Sequence, residues 1–137
     1  MESGVLKGIL WHQGETNTDV GAWKKADYED RMTKLIAAFR EDLKASDAPF
    51  VAGELGAWHL KKTSGQELRE VVKSLEGKVP HFGFVSSEEL VNKKDDAPHF
   101  DTPSLRKFGH RYAEVYFKLL ERDKKPEAKT PAGASGN

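Results

Sequence analysis

Apolar positions change their spacing several times along the chain, and each change marks an element. Residues 5–11 (VLKGILW) form a short, mostly apolar run with β-branched and aromatic members, closed by the polar cluster 12–17, and predict a buried strand. Tyr28, Met32, Leu35, Ile36, Phe39 and Leu43 then recur at steps of three and four between charged residues, which predicts an amphipathic helix over about 27–45. Asp47, Ala48 and Pro49 end it, and residues 49–55 (PFVAGEL) predict a second strand, running into Gly56 and a loop that carries Trp58 and His59. The next helix has Thr63 or Ser64 as its N-cap, Glu67 completing a capping box with Ser64, Leu68, Val71, Val72 and Leu75 as its stripe, and Gly77 as its stop. Residues 82–86 (FGFVS) predict a third strand, weakened by Gly83. Residues 87–101 are polar and without period, a loop long enough to suggest a functional role. In the last helix Asp101 or Thr102 is the cap and Pro103 stands in the first turn. Leu105, Phe108, Tyr112, Val115, Tyr116, Leu119 and Leu120 make its stripe, which stops near Arg122. Residues 123–137, rich in Pro, Gly, Ala and Lys, predict a disordered tail.

Three strands alternating with three helices imply right-handed βαβ units, hence an α/β domain with one parallel sheet covered on both faces and the three strands adjacent in it. Ligands of such sheets bind beyond the carboxyl ends of the strands. The segments 12–19, 56–62 and 86–101 should therefore share one rim, and candidate chemistry is sought there.

Composition narrows the classes. The 137 residues suffice for one domain, and 37% apolar with 32% charged residues suits a core with a solvated surface. Lys plus Arg and Asp plus Glu number 22 each, so the formal charge is zero and nucleic acid is not an expected partner. The absence of cysteine removes disulfides, zinc–thiolate sites, iron–sulfur clusters and thiol nucleophiles. The five histidines include no i,i+4 pair, so neither a metal nor a cofactor is expected. No run approaches a membrane span of roughly 20 apolar residues, and the first residues show no basic-then-apolar export pattern.

Two rim segments carry candidate chemistry. In the first, His12 to Asn17 (HQGETN), Gly14 lets backbone approach a ligand, Gln13 offers an NH2 donor for a developing oxyanion, and Glu15 could orient a histidine; the alternative is a polar turn with Glu15 solvated. In the second, Asp96 stands three residues ahead of His99, the pattern of a general base braced by an acid; the alternative is an exposed histidine beside an acidic turn. Trp58 and His59 could line a sugar site by stacking, or Trp58 could cover the core.

Gly8-Ile9-Leu10-Trp11-His12-Gln13-Gly14-Glu15, the helix with Phe39-Arg40, the strand Pro49-Phe50-Val51, the strand end Ser86-Ser87, His99-Phe100-Asp101 and Gly109-His110-Arg111-Tyr112-Ala113 occur in one order. In that order and spacing, over about residues 4–122, the chain resembles the C-terminal half of the sialate O-acetylesterase and acetylxylan-esterase branch of the SGNH hydrolases. The resemblance implies a flavodoxin-like sheet and a serine esterase that removes O-acetyl groups from sugars. It implies Gln13 as an oxyanion-hole side chain, His99 as the base, and Asp96 as its acid partner with Glu15 as the rival. An acetylated carbohydrate is the implied partner, and a secreted or periplasmic location is the family's. The family's serine lies in a Gly-rich block near the start of its domain, and none of the chain's serines sits in a G-x-S-x-G or G-D-S setting. The chain thus reads as a fragment without its nucleophile and with its N-terminal strands missing, prone to self-association or completed by an N-terminal segment. The rival reading is a non-catalytic remnant that binds carbohydrate or another protein.

Overall fold

A computed structural model describes residues 4–19, 24–94 and 96–124. Three parallel strands, β1 (Ile9–Trp11), β2 (Phe50–Gly53) and β3 (Phe82–Val85), form one sheet in the order β1-β2-β3. Ile9 pairs with Phe50 and Phe50 with Phe82, so one face carries Ile9, Trp11, Phe50, Ala52, Phe82 and Phe84. Helices α2 (Lys25–Asp42) and α3 (Thr63–Ser74) cover that face with Tyr28, Met32, Ile36, Leu68, Val71 and Val72. Val51 and Val85 point the other way, because alternate strand residues face opposite sides, and α4 (Thr102–Lys124) covers them with Phe108, Tyr112 and Leu119. The architecture is α/β with a three-stranded parallel sheet between two helical layers.

Glycine sets how closely α4 sits. A Cβ at Gly53 would lie 2.0 Å from the Tyr112 hydroxyl, and one at Gly83 would lie 2.4 Å from Val115. Tyr112 Oη donates to the Trp11 carbonyl at 2.7 Å and Tyr116 Oη to the Lys7 carbonyl at 2.9 Å, strapping the helix to the β1 segment. Asp101 is the cap of α4, its Oδ1 accepting the Ser104 N–H at 2.8 Å.

Several expectations change. The β1 strand begins at Ile9 rather than residue 5, because its partner begins at Phe50; its first bond to the neighbouring chain segment is the Ile9 N–H donating to the Pro49 carbonyl. Segment 12–19 is not all loop, since residues 15–19 form a short helix, α1 (Glu15–Asp19). Ser64 is no N-cap: Lys62 precedes α3 without a side-chain cap, and Ser64 Oγ donates instead to the Thr18 carbonyl at 2.8 Å, joining α1 to α3. The irregular loop over 87–101 is an antiparallel hairpin of β4 (Asn92–Lys93) and β5 (Asp96–Phe100). Helix α4 takes in Asp123 and Lys124, and the rest of the expected tail lies outside the described residues.

Among the described residues β1 is one of the two edge strands of the sheet. Leu10 shares the face of Val51, yet α4 lies over β2 and β3, so Leu10 stays 64% exposed. Beside it runs an apolar groove of about 600 Å³ whose walls include Leu10, Trp11, Leu105, Tyr116 and Phe117.

Candidate functional site at the carboxyl ends of the strands

The chain leaves β1 at His12, directly at the rim. The His12 Nε2–H donates to the Glu54 carbonyl at 3.2 Å, and the imidazole packs against Phe108 edge-to-face with centroids 5.5 Å apart. Gln13 donates from Nε2 to Asn17 Oδ1 at 2.8 Å, which orients the amide and engages one of its two hydrogens. Gly14 has φ +145°, a backbone region that L side chains rarely enter, and a Cβ there would lie 2.4 Å from Leu68 Cδ2. Its N–H donates to Glu15 Oε2 at 3.0 Å, so the Glu15 carboxylate closes the start of α1. The glycine is therefore what allows Gln13 and Glu15 to lie this close over α3.

Glu54, just past the end of β2, is a carboxylate only 3% exposed, and sequence reasoning left it unassigned. Its Oε2 accepts the Ser87 N–H at 2.7 Å and the Ser86 hydroxyl at 3.0 Å, while Oε1 faces Arg69 Nε of α3 in an ion pair. Burial of a charge is tolerable only with such partners. A signal was present in the sequence: a lone acid at the exit of the apolar strand PFVAGEL, opposite two serines at the exit of FGFVS.

Hairpin β4–β5 closes the rim from above. Lys93 pairs with Asp96 and Asn92 with Phe100, so one step on β4 spans four on β5, and residues 97–99 bulge between them. Phe100 is buried against Trp58, Phe108 and His12, with centroids 4.9, 5.3 and 5.8 Å away. His99 thus sits beside a residue packed on His12, and its own side chain is exposed. Asp96 lies at the base of the same bulge; its side chain is outside the described residues.

Trp58 folds back over Gly56, where a Cβ would come within 2.2 Å of the indole, and joins the core beneath α4 while staying half-buried. His59 opens the 3₁₀ turn His59–Lys61. Trp58 Nε1 and His59 Nε2 are buried without a hydrogen-bond partner among the described residues. Trp58 therefore covers the core and borders the rim at once.

The family model described as carbohydrate esterase, sialic acid-specific acetylesterase, matches residues 1–118. The chain belongs to that family. A further likeness concerns the fold alone: the X-ray structure of a protein from Arabidopsis thaliana matches with a TM-score of 0.71 at 24% identity, over 84% of this chain and 45% of that one. The chain thus spans less than half the length of that protein. Open α/β sheets bind their ligands at such a rim, because it is where the sheet presents its loops.

Proposed function

We propose that the chain is the base-bearing, C-terminal part of a carbohydrate O-acetylesterase with an SGNH-type, flavodoxin-like sheet, acting on sialic acid or xylan-type sugars through an acyl-serine intermediate. His99 takes the proton from the serine and returns it to the leaving sugar hydroxyl. Gln13 gives its second amide hydrogen to the oxyanion, and Asp96 braces the imidazolium, with Glu15 as the rival. Trp58 and His59 border the sugar. The observation that carries this reading is Phe100 on His12: it seats the His99 hairpin over the HQGE segment at one end of one sheet.

The serine is assigned to a segment outside this chain. None of its serines lies in a G-x-S-x-G or G-D-S setting, and none of those among the described residues stands at a strand-to-helix turn. The apolar groove along the free edge of β1 supports a place for such a segment against Leu10 and Phe117.

The test is acetate release from O-acetylated sialic acid, acetylated xylan and aryl acetates. The chain alone is expected to be nearly inert, since His99 then has no nucleophile. Joined to a serine-bearing N-terminal segment of the family, it is expected to release acetate, with Gln13→Ala lowering kcat about 10² to 10³-fold and His99→Ala abolishing turnover. Rapid His99-dependent release by the chain alone would overturn the placement of the serine. Release by the joined form that ignores His99, or none at all, would overturn the esterase assignment and leave the carbohydrate-binding remnant.

A further inference from the structure

The Glu54 carboxylate takes no part in the proton transfers proposed above, yet the ends of β1 and β3 and the helix α3 all meet on this one residue. From β1, the His12 imidazole donates to its backbone carbonyl at 3.2 Å. From β3, Ser87 gives its N–H to Oε2 at 2.7 Å and Ser86 its hydroxyl at 3.0 Å; Ser87 Oγ lies 3.3 Å from the same oxygen and donates to the Leu55 carbonyl at 2.8 Å. From α3, Arg69 approaches Oε1. We infer that Glu54 is a positioning residue that sets where the His99 hairpin stands relative to the HQGE segment. This rests on the reading above only for what the rim is used for.

The physical argument is one of leverage. Ser86 and Ser87 are the last residues before the segment that leads into the hairpin; α4 holds that segment from the other side, with Arg111 donating to the Ser86 and Glu88 carbonyls at 2.8 Å each, Ser104 Oγ accepting the Val91 N–H at 3.0 Å and Leu90 buried in the core, so Glu54 is its anchor on the β2 side. The hairpin returns to the sheet through Phe100, against the His12 ring that Glu54 holds at the other end. Fixing Ser87 and His12 from one residue therefore fixes both ends of the path from β1 to His99. A carboxylate suits this task because it accepts several hydrogen bonds at once, and charge-assisted bonds in a buried setting are short and strong.

The experiment follows the chain itself by NMR, with no assay of turnover. Glu54→Gln keeps the shape but turns an acceptor oxygen into an NH2 group, which opposes Arg69 or the serine donors. In the folded variant, amide exchange is expected to speed up roughly 10- to 100-fold at Ser87 and through residues 88–100, as loss of a charge-assisted bond implies. The His12 and His99 imidazole resonances are expected to shift together, while Ile36 and Phe39 of α2 keep their protection. If the variant does not fold, Ser86→Ala removes one donor from the same oxygen and is expected to give the same pattern with smaller amplitude. A change confined to Ser87, an even loss of protection everywhere, or unmoved imidazole signals in whichever variant folds would overturn the inference. Because acetate release is not read, failure of the esterase assignment leaves this result standing, and the reverse holds too.

Discussion

Gly14→Ala places a methyl group where the rim and the core touch. The added Cβ would lie 2.4 Å from Leu68 Cδ2, in a core filled by a side chain only 2% exposed, and the φ of +145° disfavours any L residue. Backbone strain of this kind costs about 1–3 kcal/mol. Forcing a methyl into a packed core costs about 1–3 kcal/mol more. The stiffer unfolded chain returns about 0.4–1 kcal/mol. The balance is a loss of about 1–5 kcal/mol, about 3 at the centre, which lowers Tm by about 10 °C in a chain of this size. Gly109→Ala is the control: in the interior of α4 its Cβ meets nothing within 4 Å, so the same methyl is expected to stabilise by about 0.5–1 kcal/mol. Urea unfolding with the slope checked for constancy measures both. Leu68→Ala in the Gly14→Ala background separates the two causes, since it relieves the clash and leaves the φ, and the double variant is expected to be more stable than the sum of the single losses by about 1–2 kcal/mol. A Gly14→Ala protein within about 0.5 kcal/mol of the parent would refute the argument, and strict additivity would remove Leu68 as its origin.

Three further outcomes are expected. Burial pushes the Tyr112 phenol above its usual range, so the folded state keeps a proton that the unfolded state loses; stability is intact below about pH 10 and falls as pH rises beyond it, and Tyr112→Phe is expected to flatten that decline while losing about 1 kcal/mol at neutral pH with the Trp11 hydrogen bond. Chemical denaturation at stepped pH measures it, and an unchanged slope above pH 10 would contradict it. The exposed edge and groove at β1 are expected to drive self-association, so Leu10→Lys with Phe117→Lys should lower the sedimentation-average mass; an already monomeric parent at high concentration would dispose of this. In a form that carries the serine segment, Asp96→Asn is expected to cut kcat by about 10⁴ and Glu15→Gln far less, because Asp96 shares the bulge of His99 while Glu15 closes on the Gly14 N–H; the reverse order would give Glu15 the bracing role.

Local periodicity makes most of the fold legible in the amino-acid sequence. The short apolar runs of β2 and β3, buried on both sides of the sheet, and the three-to-four spacing in α2, α3 and α4 mark surfaces that must be buried against something, so the parallel three-stranded sheet between helices follows. A cap at Asp101 or Thr102 is legible because a cap's partner is three residues or fewer away, and the structure selects Asp101.

What the tertiary structure alone decided involves partners far away in the chain. Ser64 has the setting of a cap and serves as a bridge to Thr18, 46 residues away; Glu54 has the setting of a strand-end charge and serves as the anchor of Ser86 and Ser87, more than 30 residues on. The hairpin over 92–100 has too few paired residues, and a bulge among them, to show a period of two. Even the length of β1 depends on where its neighbour starts. A side chain's spacing along the chain states which face it occupies, because that follows from backbone geometry; which polar group it meets there is set by how separate elements dock, and that information is shared among residues no local window contains.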